Sequence, residues 1–426
     1  MSRIIDRCEA LAQISDSSAG ISRLYLSPAY REGLRLVEQW MQEAGMSTWV
    51  DAAGNQWGRL TARAHDAPVL ILGSHLDTIP NAGKFDGILG VVSAIEAAAR
   101  LHAAGKVLPF HLDVVGFGDE ESVRFPSSML GARAVCGQWQ PEWLALADAD
   151  GVTVREALLS CGLDPSKIGD ASRVNDRLLG YWEVHMEQGP VLEQESLPVG
   201  VVSAIAGACR SRIRFTGEAG HAGTVPMNLR HDALAAAAEL ALSVERSAIA
   251  EGVVGTVGQF SVRPGAVNVI PATAECSLDL RSIDDGVLAR VLTEIQATSM
   301  ASGARRGVAV DWDVYHRAEA RHCAPRFLAL FEHAVATRGL PVRVLPSGAG
   351  HDAMLMANIT DMAMLFVRCT GGISHHPDEF VSAHDAEIAV DILMIALEKQ
   401  AQSVLSAHSS SGLESGAPAQ ANLGAS

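Results

Sequence analysis

The stretch from Pro68 to Gly90 constrains this chain most: Pro-Val-Leu-Ile-Leu-Gly-Ser-His-Leu-Asp-Thr-Ile-Pro-Asn-Ala-Gly-Lys-Phe-Asp-Gly-Ile-Leu-Gly. Its unbroken apolar run, Val69 to Leu72, reads as a strand covered on both faces, which requires packed layers on either side of a sheet. His75 and Asp77 follow at once, and Asp86 opens a new apolar helix. A histidine and two carboxylates delivered where a buried strand ends are what a metal site in an open α/β sheet needs. The plainer reading makes Asp86 an N-cap and His75 a loop histidine with an ordinary partner. The rest of the chain has to decide between them.

The same grammar recurs downstream. Phe110 to Phe117 is an apolar strand followed by Asp119-Glu120-Glu121, and Leu179 to Glu187 is a strand that ends on His185. Met362 to Arg368 is another, followed by a loop carrying His375 and His376. Helical periods separate these strands, so the expected class is α/β: a mostly parallel sheet flanked by helices. From about Arg210 the texture changes to alternating strands and two long helices, at about 227–248 and 285–301, in the order β-α-β-β-α-β. That order predicts a four-stranded antiparallel, ferredoxin-like α+β domain set into the first. The expected division is a catalytic domain formed by residues 1–207 and 321–406, an inserted dimerisation and lid domain at 208–320, and a disordered tail at 407–426 rich in Ser, Gly and Ala.

Composition narrows the function classes. With 48% hydrophobic and 19% charged residues the chain reads as well packed, and its length calls for more than one core. A formal charge of −16 without any basic cluster argues against nucleic acid or an anionic membrane as partner. The N-terminus lacks a signal-peptide core, and no apolar run is long enough to span a bilayer. The seven cysteines are odd in number and scattered, with no Cys-x-x-Cys. A cytoplasmic protein with reduced thiols is therefore expected, and any metal must be held by histidine and carboxylate.

Any one polar residue at a strand end is more often structural than functional. Five together, His75, Asp86, Glu121, His185 and His375, form a nitrogen-and-oxygen donor set suited to a pair of divalent ions. Asp86 can bridge them with its two oxygens, with His75 and His185 completing one site and Glu121 and His375 the other. Two ions about 3.5–4 Å apart can activate a water and polarise a carbonyl. Glu120 cannot easily share its neighbour's ion and is placed to act as general base. Asp77, two residues from His75, suits the task of fixing the imidazole tautomer.

At this point the chain resembles the hydantoinase/carbamoylase branch of the dinuclear amidohydrolases, which also include aminoacylases and glutamate carboxypeptidases. The matching stretches are Gly73-Ser-His-Leu-Asp-Thr, Phe85-Asp-Gly, Asp119-Glu-Glu-Ser-Val-Arg-Phe, His185-Met-Glu-Gln-Gly-Pro, Gly220-His-Ala-Gly-Thr-Val-Pro-Met, Asn268-Val-Ile-Pro, Asp279-Leu-Arg, Ser347-Gly-Ala-Gly-His-Asp and Ile373-Ser-His-His-Pro-Asp-Glu. The resemblance implies two divalent ions per subunit (zinc, manganese, cobalt or nickel) and hydrolysis of the ureido C–N bond of N-carbamoyl-L-amino acids. It further implies a homodimer in which His221 reaches the partner's site to stabilise the oxyanion. Substrate binding by Asn268, Arg281, Gln188 and Gly350 is implied as well, Arg281 clamping a carboxylate. Taken alone, Asn268 would read as a turn residue and Arg281 as a surface cation.

Two departures bear on the substrate. Several family members known for allantoate carry a glutamine shortly after the strand that enters the inserted domain, and Gly207-Ala208-Cys209-Arg210 offers none, which weakens an allantoate assignment. The loop also reads His375-His376 where many relatives have asparagine second; His375 holds the motif position. Allantoate, ureidoglycolate and β-ureidopropionate hydrolysis and simple deacylation stay open as alternatives. A catalytically inactive binding protein on the same scaffold is the reading from another class.

Overall fold

The structure, a computed structural model, describes residues 2–411, the last five as backbone only. The described residues divide into two compact units. The first takes the chain up to Ser203, then Cys323–Leu345, then His351 onward; the second takes Ala204–His322 and Pro346–Gly350.

The first unit is built on β1 (Ser47–Val50), β2 (Gln56–Leu60), β3 (Val69–His75), β4 (His111–Phe117), β5 (Leu178–Met186) and β6 (Val199–Ile205). The second contains β7 (Gly207–Thr216), β8 (Val254–Thr256), β9 (Phe260–Arg263), β10 (Thr273–Ser282), β11 (Ala309–Ala318) and β12 (Arg321–His322). The chain then forms β13 (Val344–Ser347) and β14 (Met362–Val367).

In the first unit the sheet order is β1-β2-β4-β3-β5-β14-β6. Only the central four strands, β4, β3, β5 and β14, run parallel; β1, β2 and β6 join antiparallel. The sequence reads a mostly parallel sheet, with a strand at 47–51, a turn at 52–55 and a return strand at 56–62. A tight Ala52–Asn55 turn, with Gly54 at φ +81°, folds β1 back on β2 as a hairpin, and only crossovers through helices yield parallel neighbours. Every residue of β3 and β4 is buried, which explains the continuous apolar runs. The helix Ile88–Ala103 packs against them with Leu89, Val91, Val92 and Ile95 in the core, each contributing about 1.5–3 kcal/mol by burial. The final helix runs Ala383–Ser411, past the expected stop at 406, and the rest of the tail lies outside the described residues.

The second unit is an antiparallel sheet ordered β11-β7-β10-β8, with β9 also on β10. Along β7, Cys209, Ser211, Ile213 and Phe215 are buried while Arg210, Arg212 and Arg214 face out. Helices Ala233–Glu251 and Asp285–Arg306 cover the apolar face. The first begins later than the expected Met227, because Asp232 caps it through the Ala235 N–H. The chain enters and leaves side by side, Ala204 and Ile205 pairing with His322 and Arg321. Gly350, expected with the catalytic part, belongs to this unit. The segment 346–350 is held there by the Ala206 N–H on the Ser347 carbonyl and by Arg281 on the Gly348 carbonyl.

Candidate metal centre

Because β4, β3, β5 and β14 are parallel and in register, with His75 opposite Phe117 and His185 opposite Phe366, their carboxyl ends form one edge. Ligand-type residues from four separate segments meet there. His75 Nε2 lies 3.7 Å and His185 Nε2 3.2 Å from Asp86 Oδ1. His375 Nε2 lies 3.1 Å from Asp86 Oδ2 and 3.5 Å from Glu121 Oε2. The two carboxylate oxygens of Asp86 therefore serve two donor groups, His75–Asp86–His185 and Asp86–Glu121–His375. Among the described residues a third group, Glu183–His185–His351, shares His185. His376, exposed, turns instead to the Asp378 N–H.

Backbone geometry holds these groups in place. Asp119 (φ +66°), Ser122 (φ +56°), Gln188 (φ +57°) and His375 (φ +55°) all adopt left-handed conformations in the loops of the site, where local strain concentrates. Gly87 (φ +70°) caps the helix after Asp86, and a Cβ there would come within 2.4 Å of the His75 ring. The two buried histidines beside Asp86 each have the other nitrogen fixed by a carbonyl: His75 Nδ1 by Asp77 O at 3.0 Å, and His185 Nδ1 by Met186 O at 2.9 Å. That leaves Nε2 facing Asp86 in both.

Asp77 supports the site through different atoms from those expected. Its carboxylate stands 3.9 Å from His75 Nδ1 and instead accepts the backbone N–H groups of Glu120 (3.1 Å) and Glu121 (3.2 Å). It thereby fixes the loop that presents both glutamates, while its main-chain carbonyl orients His75. Gln188, expected to bind substrate, donates Nε2 to both oxygens of Asp86 at 3.2 Å and to Ser374 at 3.1 Å, and its buried Oε1 has no partner. Sequence reasoning missed Glu379. Its Oε1 accepts the N–H groups of Phe85 (2.8 Å) and Asp86 (3.0 Å), tying the loop of Asp86 to the segment after His375. The motif Ser-His-His-Pro-Asp-Glu contains it, but nothing in its spacing singles it out.

The electrostatics are those of a cation site. Burial alone would raise Asp86, yet His185, His375 and His75 hold it well below the usual carboxylate range. Burial would lower His75, but Glu120 and Asp86 carry it well above the usual histidine value. Asp86 raises His375 to about 9, and burial raises Glu121 to about 7. Glu120, with Oε2 3.9 Å from His75 Nε2, is pushed well up by burial and by Asp352 and Glu121, against the pull of His75. Such a cluster of imidazoles and acids, with Gln188 Oε1 left over, fits divalent cations better than a self-contained hydrogen-bond network. His351, packed edge-on to His185 at 4.5 Å between ring centres, is held well below the usual value by burial.

His221, Asn268, Arg281 and Gly350 all lie in the second unit. His221 and Asn268 are exposed and adjacent: His221 bridges to Val269, and the Ala222 N–H donates to the Asn268 carbonyl. Arg281 donates Nε and Nη2 to Asp279.

This fold and donor set define a metal-dependent hydrolase class. Residues 71–399 match Peptidase family M20/M25/M40, and the chain belongs to that family. It is 38% identical to the N-carbamoyl-L-amino acid amidohydrolase of Geobacillus stearothermophilus, over 94% of this chain and 98% of that one. It is also 38% identical to the allantoate deiminase of Arabidopsis thaliana, over 93% of this chain and 82% of that one. The solved structure of an amidase of the hydantoinase/carbamoylase family from Burkholderia multivorans superposes with a TM-score of 0.89 at 32% identity, covering 94% and 97% of the two chains. Among the described residues no helix is long and apolar enough to cross a membrane.

Proposed function

We propose that the protein hydrolyses the ureido C–N bond of N-carbamoyl-L-amino acids, releasing amino acid, carbon dioxide and ammonia. The observation that carries this reading is the division of Asp86's two oxygens between two histidine-bearing groups. His75, Asp86 and His185 would hold one divalent ion, and Asp86, Glu121 and His375 a second. Zinc, manganese, cobalt and nickel all suit such donors. When bound, a pair of ions supplies Lewis acidity toward a carbonyl oxygen and a water nucleophilic near neutral pH.

The chain's own groups do the rest. Glu120, which burial raises above the usual carboxylate range, takes a proton from the attacking water and delivers it to the leaving nitrogen. Gln188 Oε1 accepts from a substrate N–H. His221 and Asn268 stabilise the oxyanion, Arg281 binds the substrate carboxylate, and Gly350 contributes backbone to the same pocket. The exposure of His221 supports a homodimer in which it acts on the partner's substrate. Mixed dimers of His221→Ala and Glu120→Ala subunits then regain activity, and mixed dimers without activity refute the trans arrangement. Seven free cysteines, six of them buried, support a reducing, cytoplasmic setting.

Ammonia release from a panel of ureido acids tests the reaction. Glu120→Gln is expected to keep its metal and lose at least about 100-fold in kcat; an active variant refutes the role of Glu120. Allantoate or ureidoglycolate hydrolysis is the second reading, favoured by the equal identity to the allantoate deiminase. The same panel separates these from β-ureidopropionate hydrolysis and deacylation, and a wild type inert on all of them favours a binding protein.

A further inference from the structure

The outward face of the second unit's sheet carries a cation that the reaction above leaves unused. Arg210 on β7 lies opposite Asp279 on β10, with His316 of β11 on its other side. Asp279 serves two guanidinium groups at once: Oδ1 accepts Arg281 Nε at 2.9 Å, while Oδ2 accepts Arg281 Nη2 at 2.9 Å and Arg210 Nε at 3.0 Å. The Gly348 carbonyl takes Arg281 Nη1 at 2.6 Å. Arg281 thus has three of its five N–H groups engaged by protein, and the other two are the donors it can offer a carboxylate. Arg210, half-exposed, spends one donor on Asp279, and the remaining four N–H groups of its fork have no partner among the described residues. Both arginines line a pocket of about 640 Å³ whose wall also includes Thr256, Gln259, Ser277 and Tyr315. That volume lies within the usual range for small-molecule sites.

Charge and donor accounting then select a substrate type. Two guanidinium groups against one carboxylate leave a net positive charge, and His316 beside them is held down by burial and by Arg210. A single substrate carboxylate on Arg281 neutralises that charge. The four donors of Arg210 still require acceptors, and an apolar substituent would strip their water without replacing it.

We infer that Arg210 is a specificity-determining residue, and that this pocket selects ureido acids whose substituent carries its own carbonyl oxygen, as in a second ureido or amide group. The inference rests on the proposal that Arg281 binds the substrate carboxylate. A plainer role, in which Arg210 only steadies Asp279 and through it Arg281, would affect every carboxylate substrate alike.

The test compares wild type, Arg210→Met and Arg210→Lys on allantoate and on two substrates of nearly equal shape, N-carbamoyl-L-asparagine and N-carbamoyl-L-leucine. Arg210→Met is expected to lower kcat/KM about tenfold or more on allantoate and the asparagine derivative, mainly through KM, with less than about threefold change on the leucine derivative. Arg210→Lys should restore part of that loss. Equal loss on all three, or no loss on any, overturns the inference while leaving the proposed reaction standing. A metal-loaded wild type inert on all three overturns both.

Discussion

The two units hold their functional side chains by opposite means. In the first, His75, Asp86 and His185 are almost wholly buried; main-chain carbonyls orient the two imidazoles, and main-chain N–H groups tie Asp77 and Glu379 to the loops that carry Glu120, Glu121 and Asp86. In the second, Arg210 and Arg281 are partly exposed, and side chains, chiefly Asp279, hold them. A metal centre needs fixed geometry, which backbone bonds from parallel strand ends provide. Recognition needs donors that can exchange an internal acceptor for one on a ligand, and an exposed ion pair gives that at small cost because such pairs are worth little.

Breaking a main-chain tie in the first unit should cost most. Glu379→Ala removes the acceptor for the Phe85 and Asp86 N–H groups, and metal affinity is expected to fall about 10- to 100-fold. Glu379→Gln, which keeps one carbonyl oxygen, should recover much of it. Titration with manganese or zinc after chelation measures both, and unchanged affinity in Glu379→Ala would remove the residue from the site. In the second unit, Arg281→Ala should raise KM about tenfold or more on every carboxylate substrate with kcat and metal content preserved; a lowered metal content would blur the separation of the two units.

The smallest effect concerns stability alone. Ser302, Arg306 and Arg305 lower Glu239 to about 2, linking the second unit's two helices. Its folded value lies below the ordinary 4.5, so its contribution is complete above pH 4.5 and fades as pH falls toward 2. The Glu239 side chain is one-third exposed, so Glu239→Gln should cost under about 1 kcal/mol at pH 7. The difference in Tm from wild type should shrink as the pH is lowered through 4; a difference independent of pH contradicts the linkage.

The donor residues that meet in the first unit were legible because each follows an apolar run that is its own signature: His75 after Val69–Leu72, Glu121 after β4, His375 after β14. The supporting contacts were not. Asp77 reaches the N–H groups of residues 120 and 121, and Glu379 those of residues 85 and 86, and no local periodicity encodes contacts that distant. Asp77 looked like a partner for the nearest imidazole because sequence displays neighbours in the chain only. Placement of residues 346–350 with the second unit escaped notice for the same reason, being decided by Ala206 and Arg281. The β1–β2 return was readable from its turn residues, whereas the antiparallel join of β6 was not, because a strand signal carries no direction. The long helices and alternating strands of the second unit were readable, whereas the sharing of Asp279 by two arginines depends on register.

The central claim is that Asp86 bridges two divalent ions. Metal content per chain, measured on wild type, His375→Ala and Asp86→Ala after equilibration with manganese or zinc, tests it most directly. The account predicts two ions in wild type, one in His375→Ala and fewer than one in Asp86→Ala. A wild type that saturates with a single ion, or an Asp86→Ala protein that still binds two, would contradict it.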